Sequence, residues 1–219
     1  RSACADMIAM FKFNNYLDVQ SFSDPKPGFI DFLNIGKTYI RRFKEKSDEV
    51  RYRKSVLANS SYPQIQAQLS TAKNILFLCY GNINRSAAAH VLAEQLCNDF
   101  PQLSFKSAGF HPNAGRPADP RMCEIALANN TDMSQCRSQV LDQNLIDWAD
   151  IIFVMESDHV KKIAALSESA APKTYLLGGL YTKDKTIEIP DPYNKSTAAY
   201  ADIFDKIHQT IKLLKSTLS

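Results

Sequence analysis

Four short apolar runs spaced by helical stretches constrain the fold of this chain more than any other feature. The first is Asn74, Ile75, Leu76, Phe77 and Leu78, too apolar for a strand wetted on one side and suited to one covered on both. Gly81 and Asn82 then signal a turn. Between residues 86 and 100, Ala89, Val91, Leu92 and Leu96 recur at helical spacing, and Pro101 closes the segment. Residues 103–107 read as a second strand ended by Gly109, followed by a loop at 110–119 rich in Pro, Gly and Asn. Asp119 and Pro120 have the character of the cap and first position of a helix over 121–129. Beyond it a third buried strand is expected at 150–155, a helix capped by Ser157 and running to Leu166, and a fourth strand at 173–177. A last helix is expected at 197–218, with Tyr200, Ile203, Phe204, Ile207, Ile211 and Leu214 on one face. This order predicts an α/β fold: a four-stranded parallel sheet flanked by helices on both faces, with right-handed crossovers and a site at the carboxyl ends of the strands.

Residues 1–70 do not share that rhythm. Phe29, Phe32, Leu33, Gly36, Ile40 and Phe43 recur at helical spacing after Pro27 and Gly28. A mainly helical extension is therefore expected at 1–70, ahead of a catalytic domain at 71–219, with a break at residues 59–63. Of the chain's 26 Lys and Arg and 23 Asp and Glu, 11 and 7 fall in the first 70 residues, so the positive excess sits there. The basic stretch from Arg41 to Lys54 reads first as a solvated helix face and second as a dock for an anionic partner, a membrane surface or an acidic phosphoprotein. No apolar run approaches the roughly 18 residues that span a bilayer. Residues 3–11, interrupted by Asp6, lack the basic start and cleavage site of a signal peptide. The five cysteines, Cys4, Cys79, Cys97, Cys123 and Cys136, form no CxxC pair and no zinc spacing, and an odd, scattered set fits a reducing, cytoplasmic setting. Neither a metal nor a nucleic-acid partner is expected.

The chemistry concentrates between Cys79 and Ser86. A thiol ending a buried strand is followed by Tyr80, Gly81, Asn82, Ile83 and Asn84, and then by Arg85 opening a helix. A loop wrapped from strand to helix aims successive N–H groups at one point, and the helix N-terminus adds partial positive charge there. That field suits phosphate, and it favours the thiolate of Cys79 over the thiol. Arg85 can grip two phosphoryl oxygens at once, and the Ser86 hydroxyl can donate to the sulfur. A bare C-x5-R is more often a core cysteine and a surface arginine; the readable strand, helix and Arg-Ser ending weigh against that here. Thiolate attack on a phosphate monoester also needs a proton for the departing oxygen. Asp191, stiffened by Pro190 and Pro192, is the candidate acid, and Tyr193 the candidate aromatic wall.

Together with Ser107, Ala108 and Gly109 after the second strand, the 118–121 run Ala-Asp-Pro-Arg, Ala149 with Asp150, and the Asp191-Pro192-Tyr193 run, this loop resembles the low molecular weight protein tyrosine phosphatases. The resemblance covers residues 73–219 in order. It implies a phosphotyrosine-containing protein as substrate, a cysteinyl-phosphate intermediate, Asp191 as acid and then base, no metal and no cofactor. By position, Asn82 and Ser107 match the polar residues that hold the loop in shape. The chain also departs from the family. Asn84 stands where many members have a second cysteine, Ala87 where many have proline, and Gln135 where a loop-supporting histidine is usual. Tyr80 is bulkier than usual and no Trp follows Gly109, which leaves Phe110, His111 and Tyr193 to line the entrance.

Three other readings share these residues. A thioredoxin-coupled arsenate reductase needs a pair of relay cysteines after the third strand, and residues 155–180 contain none. A phosphoarginine phosphatase needs a polar contact to the guanidinium, where Ile83 offers a hydrocarbon. A catalytically quiet phospho-binding module is the reading that turnover would exclude. Cys97, Cys123 and Cys136 read as inert thiols, Trp148 as core, and His90, His111, His159 and His208 as surface or satisfied histidines.

Overall fold

The computed structural model describes residues 29–181 and 187–218, with side chains from Lys37 onward. Cys4, residues 3–11 and the side chains of Phe29, Phe32 and Leu33 lie outside the described residues. The strands are β1 (Asn74–Cys79), β2 (Ser104–Gly109), β3 (Ile151–Val154) and β4 (Thr174–Leu176), paired in the order β2-β1-β3-β4 and parallel throughout. The helices are α1 (Phe29–Asn59), α2 (Tyr62–Leu69), α3 (Arg85–Leu96), α4 (Pro120–Ala128), α5 (Gln143–Trp148), α6 (Ser157–Leu166) and α7 (Thr197–Leu218). Short 3-10 turns at Glu168–Lys173 and Leu177–Leu180 flank β4.

The most apolar run is an inner strand because it has two faces and two edges to satisfy. Phe77 of β1 pairs with Ser107 on one side and Phe153 on the other. The period of two divides its side chains between two cores. Ile75, Phe77 and Cys79 face a layer formed by α2, α3, α4 and α7, whereas Leu76 and Leu78 face Leu145, Ile146 and Ile163 of α5 and α6. Each fully buried Ile, Leu or Phe contributes about 1.5–3 kcal/mol. The α7 face is as predicted, since Tyr200, Ile203, Phe204, Ile207, Ile211 and Leu214 are all buried.

The elements depart from expectation in detail. Helix α3 stops at Leu96, short of Phe100, because Cys97 leaves helical geometry and residues 97–103 run through turns to β2. Glu156 rather than Ser157 occupies the cap position of α6, and the Ser157 hydroxyl bonds Glu188 instead. Trp148 is half-buried, with the Lys106 ammonium 4.3 Å from its ring centroid, so it lies at the edge of the core rather than within it.

The break at 59–63 is present between α1 and α2, with Pro63 in the first turn of α2. By its internal contacts the chain also divides between Asp48 and Glu49. In the first unit the residues from Lys37 on are almost all exposed, including Ile40 and Phe43. In the second unit Val56 is buried, and Ile65 and Leu69 belong to the core. The Ser60 hydroxyl accepts a bond from the β4 amide of Leu176 at 2.8 Å. Gly179 permits this approach, since a Cβ there would lie 2.1 Å from the Ser60 carbonyl oxygen. No helix among the described residues is long and apolar enough to cross a membrane.

Candidate active site

Loop 79–84 leaves the carboxyl end of the inner strand β1 and feeds α3, so its geometry follows from the sheet beneath it. Its carbonyls are held from outside. Cys79 O accepts from Phe110 N at 3.3 Å, Tyr80 O from His111 N at 2.9 Å, Ile83 O from Asp119 N at 2.9 Å and Asn84 O from Ala88 N at 2.9 Å. Gly81 O accepts from the Arg116 guanidinium at 2.5 Å. In a trans peptide the following N–H points the opposite way, so outward carbonyls turn the amides inward. The sulfur of Cys79, only 2% exposed, lies within the loop, with Asn82 N at 3.2 Å and Ser86 Oγ at 3.0 Å. Gly109 must be glycine here, because a Cβ would meet Tyr80 O at 2.7 Å.

Asn82 closes the loop in the left-handed region at φ 51°, a conformation that asparagine tolerates better than most residues. Its side chain fixes that turn. Nδ2 donates to Ser86 Oγ and Ser107 Oγ, both at 2.9 Å, and Oδ1 accepts from Gln139 N at 2.8 Å. Ser107 in turn meets His90 Nδ1 at 3.3 Å. Asn82 and Ser107 are thus bonded to each other beside the loop. Gln135 is exposed and its amide meets Ser134 Oγ, while the histidine that reaches this network is His90.

Arg85 is fully buried although charged, and burial of an arginine requires partners. One terminal nitrogen donates to Glu156 Oε2 at 2.6 Å and to Ile189 O at 2.9 Å; the other meets Asp191 Oδ2 at 2.7 Å. Its Nε is buried without an acceptor among the described residues. Arg85 and Asp191 are therefore brought together, and Cys79 lies at the start of the loop that Arg85 ends. Glu156 was missed, yet an acidic residue just past the end of β3 was a readable signal for a residue at the site edge. His159 packs behind Glu156 at 3.7 Å and stacks on Phe110. Burial first, then the charges of Arg85 and Lys162, holds its imidazole down to about 3.

Loop 187–191 carries Asp191. Ile189 N donates to Met155 O at 2.8 Å, and Lys206 of α7 donates to Glu188 O at 3.2 Å. The Glu188 carboxylate accepts from the Ser157 amide at 3.0 Å and hydroxyl at 2.6 Å, and pairs with Arg53 of α1. Burial alone would raise this carboxyl, but the Ser157 bonds and the Arg53 charge outweigh it and hold the group below its ordinary range. Tyr80 and Tyr193 are exposed at the rim, and Ile83 is half-buried. Tyr80 meets His111 edge-on, with Lys162 4.8 Å from its ring. Asp119 joins the support, capping α4 through Arg121 N and accepting the Tyr200 hydroxyl at 2.8 Å; burial and this carboxylate push Tyr200 up to about 12. The other thiols described, Cys97, Cys123 and Cys136, are all raised by burial, Cys97 to about 11, as inert core thiols are. No cluster of metal-ligating side chains occurs among the described residues.

Residues 74–219 match the family model for low molecular weight phosphotyrosine protein phosphatase. EpsP of Ralstonia solanacearum, a probable low molecular weight protein-tyrosine-phosphatase, is 34% identical over 139 residues, 64% of this chain and 91% of that protein. Among solved structures, the tyrosine phosphatase Wzb from Escherichia coli K30, in complex with sulphate, has a TM-score of 0.63 at 29% identity, covering 68% of this chain and all of that one. The YwlE arginine phosphatase of Geobacillus stearothermophilus has a TM-score of 0.61 at 28% identity, covering 67% and 92%.

Proposed function

This chain belongs to the low molecular weight protein tyrosine phosphatases, and from that premise we propose that Cys79, Arg85 and Asp191 hydrolyse phosphotyrosine in proteins through a cysteinyl-phosphate intermediate. The observation that carries the reading is the loop wrapped on Cys79 Sγ, with Asn82 N and Ser86 Oγ on the sulfur and the buried guanidinium of Arg85, at the end of the same loop, held beside Asp191. A strand-to-helix loop of this kind suits a tetrahedral dianion and makes a sulfur anion tolerable. The amides from Tyr80 through Asn84 bind the phosphoryl oxygens, and Arg85 offers its unpartnered Nε together with the nitrogen now held by Asp191.

In the first step Cys79 thiolate attacks phosphorus, the bond from phosphorus to the tyrosyl oxygen breaks, and Asp191 delivers its proton to that oxygen. Ser86 donates to the sulfur and stabilises it as the anion. In the second step water attacks the phosphocysteine while Asp191 takes its proton, and the sulfur leaves as thiolate, releasing inorganic phosphate. Asp191 already lies beside Arg85, so an arriving phosphate exchanges with the carboxylate for one guanidinium nitrogen. The rim of Tyr80 and Tyr193, with Ile83 below, suits a planar aromatic ring better than a phosphoguanidinium.

The catalytic apparatus lies within 71–219, and residues 1–70 serve as an adjunct whose exposed basic face, Arg41 to Lys54, meets an anionic partner in the cytoplasm. The test is turnover of matched phosphotyrosine and phosphoarginine peptides, with intact-mass detection of a phosphorylated enzyme after acid quench. Hydrolysis of the tyrosine peptide with the added phosphoryl group on Cys79 is expected. A Cys79→Ser protein that kept the wild-type rate would refute the nucleophile, and preference for the arginine peptide would refute the substrate.

A further inference from the structure

The acid loop is tied to an element outside the family-matched residues. Arg53, near the end of α1, pairs with Glu188, three residues before Asp191. The same Glu188 carboxylate takes both Ser157 bonds, and Ser157 follows Glu156, the partner of Arg85. The last turns of α1 are seated by contacts on α6, where Lys161 pairs with Glu49 and lies 4.6 Å from the Tyr52 ring centroid, and by buried Val56. Between Arg53 and Leu57 on one side and Ile187 and Pro190 on the other lies a cavity of about 350 Å³. Open space thus lies between helix and loop at this point, and the Arg53–Glu188 pair bridges it.

We propose that Arg53 is a positioning residue for the general acid: through Glu188 it holds the run from Glu188 to Asp191 in register with Arg85, so the end of α1 sets the efficiency of proton delivery. This rests on the function proposed above. Loss of the tie lets the loop shift into the adjoining cavity and moves the Asp191 carboxyl off its line to the leaving oxygen, while the loop at 79–84 is untouched.

A misplaced acid affects esters with basic leaving groups and spares those whose leaving group departs unprotonated. The experiment is therefore kcat/KM of the full chain on phenyl phosphate and on para-nitrophenyl phosphate, for wild type, Arg53→Ala, Arg53→Lys and Glu188→Gln. Expected in Arg53→Ala is a roughly fivefold fall in the ratio of phenyl to para-nitrophenyl rates, the scale of a partly exposed ion pair. Arg53→Lys should restore part of that ratio, and Glu188→Gln, which also weakens the Ser157 bonds, should lower it by about tenfold. Arg53 is more than half exposed, so its variants should melt within a few degrees of wild type. An unchanged ratio in both Arg53→Ala and Glu188→Gln overturns the proposal while leaving the phosphatase reading intact. A wild-type chain that hydrolyses neither ester overturns both.

Discussion

Loops 79–84 and 187–191 hold the two halves of the chemistry, and they are built in different ways. The first is shaped mainly by main-chain bonds, with the Asn82 side chain bracing its turn and one distant cation, Arg116, at Gly81. The second is suspended from side chains on three helices: Arg53 of α1, Ser157 of α6 and Lys206 of α7. A loop fixed by its own peptide groups keeps its form under most side-chain changes. A loop fixed by charged side chains depends on each of them and is open to adjustment from elsewhere in the chain. The difference also separates two tasks: holding phosphate demands a rigid ring, whereas passing a proton out and back tolerates, and uses, movement.

Substitutions should expose this contrast. Asp191→Ala is expected to lower kcat/KM for a phosphotyrosine peptide by roughly two to four decades, but to affect para-nitrophenyl phosphate far less; equal losses on both would place Asp191 outside proton transfer. Arg85→Lys should cost about two to three decades on either ester alike, because the lost bidentate grip serves the phosphoryl group that both share. Asn82→Ala removes three bonds that hold a left-handed turn, and about a tenfold rise in the inhibition constant for inorganic phosphate is expected. The smallest effect concerns acid stability. His159 is held to about 3 against an ordinary 6.5, so below about 6.5 the unfolded chain takes a proton that the folded chain refuses. Stability should therefore fall as pH drops from about 6.5 towards 3, and urea midpoints of His159→Phe should show a flatter decline over that window.

The same contrast explains what could be read from sequence. Cys79, Asn82, Arg85 and Ser86 lie within eight residues, and strand, loop and helix follow one another in the text, so spacing alone located the ring. Asp191 was legible only beside the Cys79 loop, since an Asp-Pro pair alone reads as a turn. Glu188 and Arg53 were not, since 135 positions separate them and each alone looks like an ordinary surface charge. The boundary of the extension was obscured for a similar reason. Residues 49–69 share the polar, helical texture of what precedes them, but Val56, Ile65 and Leu69 find the core only once the chain has folded back. Arg116 and His90 likewise serve the loop through contacts that span 35 and 17 residues.

Asn84 carries a consequence for how long one molecule stays in service. It is buried directly before Arg85, and no thiol stands beside Cys79 there. An oxidant that converts the Cys79 sulfur to a sulfenic acid thus meets an amide next door, and the loop offers no sulfur to shelter the damaged atom as a disulfide. Further oxidation to the sulfinic and sulfonic acids is irreversible by ordinary thiols. Under peroxide, rescue of this sulfur at the sulfenic stage therefore falls to an external thiol or a backbone amide rather than to a second cysteine in the loop.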